Sequence, residues 1–415
     1  MTSSSIFKAP LFTLTIFNNP KIIFHSRSIR VFTFNFSNMR FIYYPLNASI
    51  YLGGFSLNSR ERCIRSIRHE ELDRIPLVFR SRPEPFEALM KRFNLSNAED
   101  LYRILHIDIR STGIGIKGGY LPKNVEVKEG PYGPAYTVGE YMGFEVRRDI
   151  WGVESIWAPN RTYTYTYLGH PLQRIPLEEY KWPEVSVEDF DAVVRVRRIY
   201  EDYCLCGGVE HMWEIAWQLV GFKEIMRLMF TKPNYVDSVL NGLHKIRMEQ
   251  AKLLCEAGVD VIYDGDDVGM QKGMMMSPAM WRRFLKPRYK ELADLCHRYG
   301  VFFHFHSDGW IEPIIPDLVE IGVDILNPVQ PECMDPVKLK RLYGDKLCFD
   351  GTIGVQSTLP FGTPEDVARE VKQRIAELGP TGLILGPTHA IQPDTPIDNI
   401  VALYEAALKY GTFKQ

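Results

Sequence analysis

From residue 258 onward, short apolar segments alternate with longer amphipathic ones. Mostly apolar runs at 259–263, 301–306, 323–328, 347–350 and 382–386 have the length and the turn-residue borders of buried strands. Each run is followed by a segment with helical periodicity, at about 278–299, 310–320, 335–343, 363–378 and 396–410. Consecutive strand–helix units with short connections predict parallel strands joined by helical crossovers.

The first half of the chain fits the same plan. The capping-box pattern Asn58-Ser-Arg-Glu61 predicts a helix to about residue 71, and a first strand follows at 75–79. Further helices are predicted at 84–94, 211–230 and 235–257, with a second apolar segment at about 104–109 and a strand at 204–209. Eight such units predict an α/β fold, a TIM-like (β/α)8 barrel. A doubly wound open sheet is the alternative, although no GxGxxG follows a first strand.

The segment from about 111 to 170 differs from the rest of the chain in composition. It contains Gly118-Gly119, the run Gly130-Pro-Tyr-Gly133-Pro134 and many Thr, Tyr and Val residues. Such a composition favours strands and hairpins over helices. We therefore predict a strand-rich insertion in the first half of the barrel.

Residues 1–57 do not match the rest of the chain. They hold five basic residues and no Asp or Glu, a bias that superficially resembles a transit peptide. No apolar run in them is long enough to cross a bilayer. We interpret them as an atypical extension, disordered or outside the working protein, and assign the barrel domain to 58–415.

The composition is that of an ordinary soluble globular protein. The 415 residues are 45% hydrophobic and 24% charged, with a formal net charge of −2. This near-neutral balance gives no electrostatic case for a nucleic-acid partner. The seven cysteines are scattered and odd in number, which favours reduced thiols and a cytoplasmic location.

Polar residues cluster where the predicted strands end. The carboxyl ends of parallel barrel strands meet at one mouth, so these side chains are expected to converge there. Asp and Asn in such places also serve as turn residues and helix caps, which is the structural alternative. The set comprises Asp264, Asp266, Asp267, His306, Asp308, Asn327, Gln330, Asp350, Thr352, His389 and Gln392.

His306, Asp308 and His389 are the candidate metal ligands. Alternation along a strand directs His304, His306 and Asp308 to the same side. Two imidazoles and a carboxylate suit zinc or another divalent metal, with Asp264, Asp266 or Asp267 as a further ligand or a partner of one. The alternative without metal is a histidine–carboxylate pair for proton transfer. We interpret His211, at a predicted helix start, as structural.

Several motifs together resemble one family. They are Ser59-Arg-Glu-Arg62, Asp73-Arg-Ile-Pro76, His306-Ser-Asp-Gly309, the run from Gly322 to Gln330, and Gly386-Pro-Thr-His389 through Pro396. With them, the chain from Ser59 to about Gly411 resembles the uroporphyrinogen decarboxylase superfamily. That superfamily includes the decarboxylases of haem synthesis and corrinoid-linked, zinc-dependent methyltransferases. The resemblance implies a TIM-like barrel and an enzyme that is often a homodimer.

The resemblance leaves two branches open. Decarboxylases of the family carry an arginine-rich motif after the first strand, where this chain has Arg80 and Arg82 in a different arrangement. The methyltransferases hold zinc with a His-x-Cys pair and a later Cys, which match His306, Asp308 and His389 here. Replacing sulfur by oxygen and nitrogen makes the metal a harder Lewis acid, which suits an oxygen substrate.

The preferred hypothesis is a metal-assisted methyltransferase that moves a methyl group between a small molecule and a corrinoid on a partner protein. Its expected catalytic residues are Asp264, Asp266, Asp267 and Asp350, and its expected substrate-binding residues are Arg80, Arg82, Asn327, Gln330 and Gln392. The alternative is a cofactor-free decarboxylase of a porphyrinogen, in which Arg80 and Arg82 hold carboxyl groups. A third is a barrel that binds a ligand without turnover.

Overall fold

The computed structural model describes residues 56–157 and 165–413. Its helices are α1 (Ser59–Ile67), α2 (Pro83–Arg92), α3 (Ala98–Ile104), α4 (Phe190–Ile199), α5 (Trp213–Val220), α6 (Phe222–Thr231), α7 (Pro233–Glu256), α8 (Pro278–Phe284), α9 (Lys286–Arg298), α10 (Ile315–Ile321), α11 (Pro336–Tyr343), α12 (Thr358–Phe361), α13 (Pro364–Leu378) and α14 (Ile397–Gly411). Its strands are β1 (Ile109–Gly113), β2 (Ile116–Gly118), β3 (Lys128–Gly130), β4 (Gly133–Tyr141), β5 (Phe144–Asp149), β6 (Glu154–Trp157), β7 (Tyr165–Gly169), β8 (Pro183–Val185), β9 (Cys204–Gly208), β10 (Val261–Gly265), β11 (Gly269–Met270), β12 (Gly273–Met274), β13 (Phe302–His306), β14 (Ile325–Asn327), β15 (Cys348–Asp350) and β16 (Leu383–Ile384).

The central sheet is parallel and has seven strands. Their order is β1-β9-β10-β13-β14-β15-β16, and every pair in it is parallel. Helices lie between successive strands from β9 onward, as the sequence predicts. The order runs in one direction along the sheet, whereas a doubly wound sheet reverses its order. The open-sheet alternative is therefore wrong, and the topology is consistent with a TIM-like fold.

The segment predicted as the first strand joins both edges of this sheet. Leu77 forms a parallel bridge with Leu385, next to β16, and the amide of Val78 donates to the Leu385 carbonyl at 3.0 Å. On the other side, the amide of Asp108 donates to the Leu77 carbonyl at 2.9 Å, just before β1. These bonds make an isolated bridge rather than the full strand predicted at 75–79.

A second, antiparallel sheet is formed by five strands in the order β3-β4-β5-β6-β7. It falls within the segment for which strands and hairpins are predicted. Ala135 on β4 and Ile156 on β6 are buried, whereas the end of β4 is exposed. That this sheet is an insertion into a barrel stays a prediction.

The prediction that residues 1–57 are an atypical extension concerns positions almost wholly outside the described residues.

Two predicted helices are each divided in the structure. The helix expected at 211–230 is split into α5 and α6 by Gly221, whose φ of 91° is in the left-handed region that favours glycine. The helix expected at 278–299 is split into α8 and α9, and Pro287 stands in the first turn of α9, where its missing N–H costs nothing. The hydrophobic periodicity continues across both breaks, so it could not locate them.

The core lies on both faces of the parallel sheet. On β13, Phe303 and Phe305 are fully buried, and the Phe305 ring is 5.1 Å from that of Tyr289 on α9. All seven cysteines are in the described part of the chain and are free thiols. None of the helices in that part is long and apolar enough to cross a membrane.

Candidate active site at the mouth of the parallel sheet

The register of the central strands brings aromatic and polar side chains to one face. Tyr263 on β10 pairs with His304 on β13, and Asn327 on β14 pairs with His306. Because Phe303 and Phe305 face the helices, His304 and His306 project to the opposite face. The Tyr263 ring lies 5.1 Å from the His304 ring and 5.7 Å from the His306 ring.

Two imidazoles and two carboxylates meet where β10 and β13 end. His306 Nε2 is 3.7 Å from Asp267 Oδ1 and 3.9 Å from Asp308 Oδ1. His389 Nε2 is 3.8 Å from the other oxygen of Asp308, and its ring is 6.3 Å from that of His306. We call Asp267, His306, Asp308 and His389 the mouth cluster.

The hydrogen bonds of His306 fix which ring nitrogen is free. Its Nδ1 lies 2.5 Å from Asn327 Oδ1, and Asn327 Nδ2 donates to the Asp350 carbonyl at 3.0 Å. The second bond orients the amide so that its oxygen accepts from His306. The Nδ1 atom therefore carries the proton, and the Nε2 lone pair faces Asp267 and Asp308.

Asp267, His306 and Asp308 offer ligand atoms that all lie within 4.8 Å of one another, as a divalent-metal site needs, and His389, which lies outside that group, adds a second imidazole at the edge of the mouth cluster. Its 3.7–3.9 Å separations are too long for hydrogen bonds. Zinc bonds of about 2.0–2.1 Å in a tetrahedron place neighbouring ligand atoms roughly 3.3 Å apart, so a small inward shift suffices. Asp308 Oδ1 is buried and has no hydrogen-bond partner among the described residues, as expected of a ligand atom awaiting a cation.

Asp267 completes this arrangement. Its Oδ1 accepts the amide hydrogen of Asp308 at 2.7 Å, which ties the end of β10 to the turn after β13. Burial raises the pKa of Asp267, while the neighbouring charge of His306 opposes the rise. A carboxylate that is costly to ionise in isolation is stabilised by a bound cation.

A charge pair lies deeper, on the same face of the sheet. Arg80 donates to both oxygens of Asp350, at 3.0 and 2.5 Å, and His304 Nε2 is 3.2 Å from Asp350 Oδ2. Burial opposes the charge on Asp350, yet Arg80 and His304 hold its pKa well below the usual range. Burial lowers the pKa of His304.

These three residues line a cavity of about 460 Å³. Its wall also includes Tyr263 and Cys206 from the neighbouring strands. A cavity of this size admits a small molecule. We call this cavity the chamber; its lining includes the paired Arg80 and Asp350 and none of the four mouth-cluster residues.

Comparison with known proteins places this site in a family. Residues 180–410 match the family model described as uroporphyrinogen decarboxylase (URO-D). This segment is more than half of the chain and contains all four mouth-cluster residues. The chain belongs to the uroporphyrinogen decarboxylase family.

Relatives in this family have more than one named activity. The chain is 28% identical over 221 residues to the methylcobamide:CoM methyltransferase MtaA of Methanosarcina barkeri, which covers 53% of this chain and 62% of that protein. It is 21% identical over 238 residues to the uroporphyrinogen decarboxylase of Coxiella burnetii, covering 54% and 62%. The chain thus spans less than two thirds of these relatives' own length.

The solved structure of a methyltransferase from Methanosarcina mazei has a similar fold. Its TM-score is 0.59 at 20% sequence identity, and the match covers 86% of this chain and 99% of that one. At this identity the likeness concerns the fold. It supports the TIM-like architecture expected of the uroporphyrinogen decarboxylase family.

Two of the predicted catalytic aspartates lie away from the mouth cluster. Asp264 is on the opposite face of β10 from Tyr263, and its carboxylate lies 2.6 Å from Arg247 on α7. Burial raises the pKa of Asp264 to about 7. Strand alternation directs Asp264 to the helix layer, apart from the mouth cluster, and its catalytic role stays a prediction.

Asp266 has a structural role at the start of α5. Its two oxygens accept from the amides of Met212 and Glu214, at 3.0 and 2.9 Å, and Tyr289 Oη donates to it at 2.7 Å. Because this fully buried carboxylate accepts hydrogen bonds from three donors, it anchors the start of α5. Asp266 thus supports the start of α5, and its catalytic role stays a prediction.

The predicted substrate-binding residues are divided among different places. Arg80 reaches the chamber, and Asn327 supports His306. Gln330 Oε1 accepts from the Gly309 amide at 3.3 Å, and Gln392 Nε2 donates to the Ala390 carbonyl at 2.7 Å, so both brace loops at the mouth. The backbone of Arg82 donates to Ile391 at 2.9 Å.

The sequence reasoning missed two parts of the site. It did not assign Tyr263, although strand alternation from His304 and His306 across the predicted sheet offered a signal. It also treated His211 as structural, whereas the His211 ring lies beside Gly265 at the mouth end of β10. Arg80 and Asp350 are 270 positions apart in the chain, so no local sequence pattern predicts that they pair.

Proposed function

We propose that this protein is a metal-assisted methyltransferase that moves a methyl group between a small molecule and a corrinoid carried by a partner protein. The observation that carries the proposal is the mouth cluster, in which the free lone pair of His306 faces two carboxylates. The relative named methylcobamide:CoM methyltransferase supports the reaction class. A homodimer and a cytoplasmic location remain predictions.

His306, Asp308 and His389 are the proposed ligands of a zinc or other divalent ion, with Asp267 beside them. When bound, such an ion would supply Lewis-acid chemistry to a substrate oxygen or sulfur. Asn327 holds His306 in the tautomer that leaves Nε2 free, and the Asp308 amide fixes Asp267. These contacts pre-organise the mouth before substrate arrives.

The chamber beneath the mouth favours a small, weakly charged substrate. Arg80 is already bound to Asp350 through both of its terminal nitrogens, and their charges cancel. A substrate carboxylate would have to displace Asp350 and leave it buried without a partner, which is costly. Because Arg80 is already paired with Asp350, the structure offers less support for the porphyrinogen decarboxylase alternative, in which Arg80 and Arg82 hold carboxyl groups of the substrate.

Elemental analysis of the purified chain tests the proposal. We expect about one divalent ion per chain in the wild type, and loss of that ion in the double variant His306→Ala, Asp308→Ala. His297→Ala is the matched control, because its ring pairs with Asp324 at 2.9 Å at the end of α9, away from the mouth. A wild type that holds no ion, even after incubation with zinc, would overturn the assignment.

An activity assay separates the two branches. Loss of methylcobalamin with coenzyme M as acceptor, the pair in the relative's name, is followed by absorbance. We expect this turnover to require the metal and to disappear in the double variant. Conversion of uroporphyrinogen by the metal-free chain would instead favour the decarboxylase.

A further inference from the structure

A third histidine, His211, lies at the mouth end of β10. His211 comes just before α5, and its Nδ1 lies 2.9 Å from Glu214 Oε2 in the first turn of that helix. Its side chain is 24% exposed, so the ring is not sealed in the core. The Tyr132 ring from the antiparallel sheet packs 4.9 Å from it.

The position of this ring depends on a glycine. A Cβ on Gly265 would lie 2.8 Å from His211 Cε1 and 3.0 Å from both His211 Nε2 and Tyr263 Oη. Gly265 therefore leaves the space that the imidazole occupies at the end of β10. Because Nδ1 is turned to Glu214, Nε2 is the nitrogen that faces the space beside Gly265, which the hydroxyl of Tyr263 also borders; the Tyr263 ring in turn lies 5.7 Å from that of His306.

The backbone around His211 is rigidly held. Asp266 accepts from the amides of Met212 and Glu214, and its own amide donates to the His306 carbonyl at 3.0 Å. Asp266 thus ties the start of α5, through its carboxylate, to the strand that carries His306, through its backbone amide. The distance between His211 and the mouth cluster is set by the fold rather than by a mobile loop.

We propose that His211, held by Glu214, is the proton-transfer residue of this active site. The proposal rests on the methyl-transfer function and adds a catalytic residue to it. When the small molecule gives up its methyl group, the bond between methyl carbon and oxygen breaks and its electron pair stays on oxygen. That oxygen takes a proton from His211 Nε2, and the reduced corrinoid, as methyl acceptor, supplies the electron pair of the new bond to carbon.

The surroundings of the ring favour its protonated form. Burial lowers the pKa of His211, but the bond to Glu214 and the nearby carboxylates outweigh it and raise the pKa to about 9. At neutral pH the ring therefore holds the proton that the leaving oxygen needs. The titratable groups facing it are Glu210, Glu214, Tyr132, Tyr263, Asp264 and Asp266.

The first test is independent of turnover. In the full-length chain with its metal, ¹⁵N NMR of the histidine rings should give His211 a pKa of about 9, with the signal assigned by its loss in His211→Gln. In Glu214→Gln, which keeps a side-chain oxygen but removes the charge, the pKa should fall toward the ordinary value of about 6.5. An ordinary pKa in the wild type, or no change in Glu214→Gln, would overturn the proposal.

The second test uses leaving-group acidity. For a series of aryl methyl ethers with reduced cobalamin as acceptor, His211→Gln should reduce the rate roughly 100-fold or more for the least acidic phenol and much less for the most acidic one. Gly265→Ala, which displaces the ring, should show the same trend. His297→Gln, which removes a histidine–carboxylate pair far from the mouth, should match the wild type.

The outcomes separate this proposal from the proposed function. A wild type with metal and turnover, but with equal losses in His211→Gln across the series, overturns the role of His211 and leaves methyl transfer standing. A wild type without metal overturns the proposed function whatever His211 does. Failure of the wild type to demethylate any ether overturns the oxygen-protonation step itself.

Discussion

A single amide connects the mouth cluster to the chamber beneath it. Asn327 bonds His306 through its oxygen and the Asp350 carbonyl through its nitrogen. The amide thereby sets the proton on His306 without being a ligand. Contacts of this kind usually change metal affinity about 10- to 100-fold.

Asn327→Leu should therefore weaken metal binding by about 10- to 100-fold, because His306 loses the acceptor that holds its proton on Nδ1. Zinc titration against a competing chelator measures the change. Asn399→Leu is the matched control: Asn399 is also buried and bonds two carbonyls, but those belong to Leu359 and Gly362. Equal affinity in Asn327→Leu and the wild type would contradict this role.

The effect of replacing Arg80 on the free energy of unfolding should depend on whether Asp350 is replaced as well. Arg80→Met leaves a buried carboxylate unpaired, and we expect the free energy of unfolding to fall by about 3–5 kcal/mol at pH 7. The double variant Arg80→Met, Asp350→Leu should recover most of this loss, because no buried charge remains. Denaturant unfolding measures both, and a double variant no more stable than the single one would refute the argument.

The same pair predicts how stability changes with acid. The pKa of Asp350 is depressed in the folded protein, so its ionised form contributes stability above the unfolded-state value of about 3.9. That contribution is lost as the pH falls below this value toward the folded-state pKa. The double variant should show a shallower decline of stability below pH 4 than the wild type.

At the scale of elements, β13 is where sequence reasoning was most successful. An apolar run bounded by turn residues predicted a strand at 301–306, and the structure has it at Phe302–His306. Alternation correctly directed His304 and His306 to one face, because a pleated backbone leaves no other choice. The same rule, applied to β10, would have assigned Asp264 to the other face.

Gly221 shows what periodicity alone cannot locate. Its φ of 91° separates α5 from α6, and a Cβ there would lie 2.4 Å from Gln173 Nε2. Gly221→Ala should lower the free energy of unfolding by about 1–2 kcal/mol, since an alanine in this backbone region is strained. Gly139→Ala, which has no close neighbour and an ordinary φ, should change it by less than about 0.5 kcal/mol. Thermal or denaturant unfolding of both variants makes the comparison.

At the scale of the whole molecule, every residue proposed for the site lies between 80 and 392. Asp73 bonds the amide of Leu57, and the capping box of Asn58 and Glu61 starts α1. We therefore expect removal of residues 1–55 to leave the metal content and the unfolding temperature unchanged. Calorimetry and elemental analysis of the shortened chain test this. A lower metal content would assign those residues a part in the site.

The sequence by itself determined the alternation of strands and helices, the parallel topology it requires and the strand ends at which polar residues gather. These follow from local periodicity and short connections, which the chain carries in its own order. Only the tertiary structure decided which polar side chains meet. It placed Asp267 at the mouth and turned Asp264 and Asp266 toward the helices. It also paired Arg80 with Asp350 and set the His211 ring beside Gly265. Such pairings depend on strand register and on the packing of residues far apart in the chain, and no local pattern encodes them.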